Sequence, residues 1–330
     1  MLLPLPYLLD HTLSLPLLTQ NYLVNSALLD YFLTSCHVTT HFLSMKRFLL
    51  LEDGEFAHTL SSHLFNKLRS GGGARMTSPA FLNPLLQSAL DSSLHGNSPN
   101  AELLTFAVSG SPPAHTHAVD ALDFLQLQYK VEWPCNVVIT EDCLRKYNRV
   151  FHLLLQLRRA SWTLKTVFSL IQQCEGLDKQ QRRQLQIHRH EFQHFVGVME
   201  GYITNQLFYL SWRELEEDLA TKVHSLDDLI RAHQMFIDKA IFRCLLSKKA
   251  MAVMKIIQTV FSCILRFSTT LSSSALPSPL HLFHSLSRTH RKFRETAGLL
   301  MKVIIKLVER GYQPHLEDFL LRLNFNNFYG

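Results

Sequence analysis

Apolar residues recur every three or four positions through most of this chain, a helical period. From Asn21 to Leu51, Leu, Tyr, Phe and Val fall at that spacing. Gly71-Gly72-Gly73 then interrupts the pattern, and Ser78-Pro79 and Asn83-Pro84 read as helix starts. Proline at the first helical position forfeits no hydrogen bond, because that N–H has no partner in any case. Residues 94–118, rich in Gly, Ser, Pro and His, read as a long loop.

One segment changes period. Leu125, Leu127, Tyr129 and Val131 alternate with Gln126, Gln128 and Lys130, the repeat of two expected of a strand. Trp133-Pro134-Cys135-Asn136 reads as a turn, after which Val137-Val138-Ile139 is the expected return strand. Thr140 then caps a helix whose first turn carries Glu141 and Asp142, set against the positive helix end. That helix is predicted to run to about Cys174, with Leu144, Tyr147, Phe151, Leu154, Leu155 and Trp162 inward and Arg145, Lys146, Arg149, Arg158, Arg159 and Lys165 off that stripe.

After a break at Gly176 and Asp178, helices are expected over 180–210, from a capping signal at Ser225 to Leu246, over 248–267, over 281–310 and over 316–323. Gly311 and Pro314 stop the fourth of these, and 268–279 is a Ser/Pro loop. Long helices with short links define an all-α array of helical bundles with a small two-stranded β element near residues 125–139. No strand–helix alternation supports a doubly wound sheet, and no fixed repeat supports a solenoid.

Composition adds bounds. The 330 residues are 47% hydrophobic and 18% charged, which excludes wholesale disorder. The net charge of +6 is mild and its bearers are spread along helices rather than in dense basic clusters, so an acidic protein suits the chain at least as well as nucleic acid, and no nucleic acid is expected as a partner. The six cysteines form no CxxC pair and read as reduced and buried. The N-terminal segment lacks a positive region before its apolar residues and is not read as a signal peptide. The most apolar stretch, 250–267, carries Lys255 and Arg266 and reads as an amphipathic helix; no transmembrane segment is expected.

The sharpest motif is His190-Glu191-Phe192-Gln193-His194. On a helix, the two histidines lie one turn apart, where they could share a zinc ion with Glu191 as general base. Glu214 stands at a distance suited to a third ligand. A zinc metallopeptidase is therefore the alternative function. Against it, Phe192, Phe195 and Val196 are core-like, no strand precedes the helix to hold a peptide, and His188 faces elsewhere. The Gly-rich run lacks the Lys and Ser/Thr of a phosphate loop, and no G-x-S-x-G occurs.

A set of ordered segments carries more information. Leu127-Gln128-Tyr129-Lys130-Val131-Glu132-Trp133-Pro134, Ile139-Thr140-Glu141 and Lys146-Tyr147-Asn148-Arg149-Val150-Phe151 resemble the signature of the gamma-tubulin complex components. Lys46-Arg47-Phe48-Leu49-Leu50, His194-Phe195, Trp212, Ala232-His233, Phe236-Ile237-Asp238, Cys244-Leu245-Leu246 and the terminal run Leu323-Asn324-Phe325-Asn326-Asn327-Phe328-Tyr329 agree with it in order and spacing.

The resemblance implies an N-terminal extension over 1–20 and a C-terminal, gamma-tubulin-binding domain over 21–330, with loops near 69–79, 94–118 and 268–279. It implies a part of a larger protein or a short isoform. The implied partners are gamma-tubulin and other complex components, with no catalysis and no cofactor. The implied role is microtubule nucleation, in the cytoplasm and cytoskeleton, at the centrosome and spindle poles. The expected contacts are Lys130, Glu132 and Trp133; Arg145 and Arg149; and Asn324, Asn326, Asn327 and Tyr329.

Overall fold

In a computed structural model, residues 9–70, 76, 78–110, 117–272, 278–311 and 315–325 are described. The helices are α1 (Leu15–Asp30), α2 (Val38–Phe48), α3 (Gly54–Arg69), α4 (Pro79–Asp91), α5 (Glu141–Gln173), α6 (Lys179–Thr204), α7 (Trp212–Thr221), α8 (Leu226–Arg243), α9 (Met251–Ser272), α10 (Pro279–Glu309) and α11 (Leu316–Leu323). A two-stranded antiparallel sheet, β1 (Leu104–Val108) and β2 (Leu125–Tyr129), completes the set.

The helix starts follow from local chemistry. The Thr140 hydroxyl accepts from the Cys143 N–H, and Glu141 and Asp142 occupy the first turn of α5. Asp178 and Gln181 form a reciprocal capping box on α6. Ser225 accepts from the Asp228 N–H at the start of α8. Gly176 turns the chain between α5 and α6 at φ +77°, and Pro279 packs so closely that a Cβ there would lie 2.6 Å from its ring.

α5 is the axis of the body. α3, α6, α8, α9 and β2 pack around it, burying Tyr147, Val150, Phe151, Leu155, Leu164 and Val167. α9, the most apolar stretch, lays Val253, Ile257, Phe261, Ile264 and Phe267 into the core, as an amphipathic helix must.

Several expectations need correction. β2 forms as expected, but Val137-Val138-Ile139 is not its partner; Cys135–Val137 is a 3₁₀ turn that plugs Val138 and Ile139 into the core. The partner, Leu104–Val108, lies inside the stretch read as loop 94–118. The helix expected over 21–51 is broken at His37, which adopts φ +49°. The helix expected over 180–210 forms and runs on: past Thr204 it widens to π geometry over Asn205–Ser211 and continues into α7. α9 extends to Ser272, into the expected 268–279 loop.

Such a small sheet survives because helices cover both its edges. The Leu103–Lys130 and Ser109–Phe124 backbone bonds set the register, so Phe106 and Leu127 turn their backbone groups outward. Asn83 of α4 accepts from the Phe106 N–H at 3.0 Å. Asn148 of α5 accepts from the Leu127 N–H at 3.0 Å and donates to its carbonyl at 3.1 Å. Each amide side chain thereby stands where the next strand would be.

Candidate partner-binding surface

Three regions were expected to touch a partner. In the first, Lys130, Glu132 and Trp133 are all exposed, Trp133 at 79%. Their backbone is fixed: the Lys130 N–H donates to the Leu103 carbonyl and the Asn136 N–H to the Glu132 carbonyl. Cys135, Val138 and Ile139 anchor the same turn from beneath. An indole held outward on an anchored turn loses little entropy on binding, a property shared by residues that dominate interfaces.

The second region is the start of α5. Arg145 is exposed and pairs with Asp142 at 3.2 Å. Asp142 is shared with Lys146, and these two hydrogen bonds hold its carboxyl below the ordinary range. Lys146 also reaches Asp238 of α8 at 2.7 Å. Arg149 is exposed at its edge but donates to the Leu246 carbonyl, tying α5 to the segment after α8. Arg158 and Arg159, expected off the apolar stripe, are not surface cations. Arg158 donates to the Leu51 carbonyl, and Arg159 is buried, donating to the Ala118 carbonyl at 2.6 Å. Burial pulls the Arg159 pKa down to about 10. The physical reason is that α5 is enclosed on more sides than a surface helix.

In the third region, Asn324 caps the C-terminus of α11 and is half-buried. Asn326, Asn327 and Tyr329 lie outside the described residues. α11 is held by Phe319 against Tyr202 of α6, while His315 packs on Phe242 at the end of α8. The segment after α8 thus lies between the second and third regions.

The zinc alternative is not supported by the geometry. His190 and His194 are exposed on α6, but Glu191 turns to α10, where its carboxylate meets His290 Nε2 at 2.8 Å and Arg294 Nε at 3.7 Å. The His188 ring stacks on His290 at 3.7 Å. Burial drives the His188 pKa down to about 4. Glu214, the prospective third ligand, accepts from Lys239 at 2.7 Å and Arg243 at 2.6 Å. Among the described residues, no group of three or more His, Cys, Asp or Glu could hold a metal ion. Of the motif's three polar residues, Glu191 serves the packed interface between α6 and α10.

The sequence reading missed one concentration of charge. Residues 239–294 hold ten Lys or Arg and no Asp or Glu, and they form the end of α8, α9 and the first half of α10. The signal was visible as a missing residue type and was lost in the bulk charge balance.

The fold is a helical body with an exposed aromatic turn, and comparison with known proteins defines its class. A profile described as Gamma tubulin complex component C-terminal matches residues 39–329. The chain belongs to that family. It is 44% identical to mouse Gamma-tubulin complex component 6 over 99% of its own length, and 43% identical to the human protein, also over 99%. Spindle pole body component alp6 of Schizosaccharomyces pombe is 25% identical over 89% of the chain. The chain spans 19% of the length of the mouse and human relatives.

Proposed function

We propose that this chain is a structural part of a gamma-tubulin complex, that it binds gamma-tubulin, and that it supports microtubule nucleation. The observation that carries this reading is the family match over 39–329, joined to 44% identity across 99% of the chain. Other components of the same complex are its further partners, and its place is the cytoskeleton at microtubule-organising centres, the centrosome and spindle poles. The reading treats residues 21–330 as one binding unit.

The physics suits a scaffold. Nucleation needs several subunits held at fixed spacing, and a preformed seat pays in advance the entropy of bringing them together. Helices locked around α5 supply rigidity, and Trp133, Lys130, Glu132 and Arg145 offer an exposed, anchored contact. Arg149 and the terminal residues Asn324, Asn326, Asn327 and Tyr329 are further proposed contacts. The chain transforms no substrate in this reading; Glu191, the would-be general base of the H-E-x-x-H motif, is held by His290. Co-purification of the 330-residue chain with gamma-tubulin at physiological salt tests the reading. Stoichiometric capture supports it, and absence of capture by a folded chain refutes it.

A further inference from the structure

Ten cations without an acid between residues 239 and 294 leave a local excess larger than the net +6 of the whole chain. Lys239 and Arg243 share the Glu214 carboxylate of α7. Of the remainder, Lys248 and Lys249 lie on the short turn before α9, and the other six are on α9 and α10. Arg266 of α9 with Arg288 and Lys292 of α10 border a groove between these helices, floored by Cys263. Arg183 of α6 with Arg291 and Arg294 border a second groove on the other flank of α10. Among the described residues, the only carboxylate lining either groove is Glu191, already held by His290. Arg183, Arg266, Arg288, Arg291 and Lys292 are exposed or half-buried and have no ion-pair partner among the described residues.

Uncompensated like charges repel, so a fold that crowds them onto one ridge loses stability unless an anionic partner neutralises them. The layout says what kind of anion. Arg288 and Lys292 are one turn apart, about 6 Å along the axis. Alternate side chains of an extended polypeptide repeat at about 6.8 Å, close enough for flexible arginine and lysine tips to follow. Guanidinium groups pair bidentately with carboxylates. Neither groove is lined by an aromatic side chain other than the ring of a histidine, so a single-stranded nucleic acid finds no base-stacking platform. We propose that the α10 ridge with its two flanking grooves docks an acidic, extended polypeptide segment, its carboxylates paired with Arg266, Arg288 and Lys292 on one side and Arg183 and Arg291 on the other. This surface shares no residue with the Trp133 and Arg145 region, and the proposal does not depend on the tubulin reading.

The test uses the whole 330-residue chain and a fluorescein-labelled twelve-residue peptide with glutamate at alternate positions. Fluorescence anisotropy at low and physiological salt is expected to show saturable binding. R288E/K292E should weaken it at least tenfold, with an unchanged helical melt. K248E/K249E makes the same change of net charge on the short turn before α9, outside both grooves, and should alter affinity less than twofold. Equal losses for the two double variants would reduce the effect to a diffuse field and overturn the proposal. Tighter binding of a duplex oligonucleotide, or of vesicles containing phosphatidylserine, would overturn it in favour of those anions. Concentration-dependent self-association abolished by R288E/K292E would assign the ridge to a second copy instead, and would likewise overturn it.

Discussion

The side-chain amide of Asn148 holds Leu127 by both backbone groups, accepting its N–H at 3.0 Å and donating to its carbonyl at 3.1 Å. Leu127 is fully buried, so neither group has water as an alternative. Further along the same face of α5, His152 bonds the Leu125 carbonyl, Gln156 bonds Asp123, and Arg159 bonds the Ala118 carbonyl. One helix thereby stitches a segment that has too few strands to be stable alone.

Asn148→Leu should therefore destabilise the chain by about 3 kcal/mol, since orphaning a buried donor or acceptor costs about 1–3 kcal/mol each. Asn148→Asp keeps the acceptor but turns an anion on the Leu127 carbonyl, and should also destabilise. Urea unfolding by circular dichroism measures both. Wild-type stability for Asn148→Leu would mean that the sheet edge is satisfied in another way.

Acid should unfold the protein through its buried histidines. His233 lies fully buried with Phe42 stacked at 4.4 Å, Tyr147 Oη at 3.2 Å from its Nε2, and the Lys146 ammonium acting on it electrostatically. Burial lowers its pKa from 6.5 to about 4. The folded state thus holds the neutral ring, while the unfolded chain takes up a proton below pH 6.5. Its stabilising contribution is complete above pH 6.5 and is lost as pH falls toward 4. At pH 5 the loss is about 2 kcal/mol for each such histidine, with a smaller share from the less deeply buried His188. Melting curves between pH 7 and 5 should shift steadily downward, and His233→Gln should flatten the slope. A pH-independent melt would contradict the assignment.

Glu191 is expected to act on stability and on nothing catalytic. Removing it leaves His290 without its partner at 2.8 Å, so Glu191→Ala should cost about 1–3 kcal/mol. His194→Ala, on the exposed face, should be neutral. Thermal melts and zinc analysis of the purified chain together separate the readings. Stoichiometric zinc, lost on His194→Ala, would restore the metal site.

The pattern in the sequence carried most of the helical framework because caps and breakers are local. Thr140, Ser225 and Gly176 act on the residues beside them: α5 starts at Thr140, α8 starts at Ser225, and the chain turns from α5 into α6 at Gly176. The partner of β2 could not be read in the same way. Leu104–Val108 is a short apolar run in polar surroundings, and its pairing depends on Asn83 and Asn148, which lie far away in sequence. Val137–Ile139 has the composition of a strand, yet burial of Val138 and Ile139 within a tight turn satisfies it better. At the candidate surface, the exposure of Trp133 was a tertiary outcome, since an indole more often packs inside. Arg158 and Arg159 were misread because helical spacing does not reveal how many sides of α5 are covered.

The proposed contact residues separate into those that also hold the fold and those that do not. Trp133→Ala and Arg145→Glu remove exposed groups whose loss leaves the core intact, and each should weaken capture of gamma-tubulin at least fivefold without moving the melt. Arg149→Glu also breaks the bond to the Leu246 carbonyl and should lower stability as well. Surface plasmon resonance on variants matched for helical content distinguishes the two effects. Unchanged affinity for both Trp133→Ala and Arg145→Glu would move the contact elsewhere.

The most direct measurement mixes the purified 330-residue chain with purified gamma-tubulin and determines the mass of the product by size-exclusion chromatography with light scattering. A one-to-one complex at physiological salt, stable to dilution into the micromolar range, is expected. Two separate peaks, from a chain whose circular dichroism shows it folded, would contradict it.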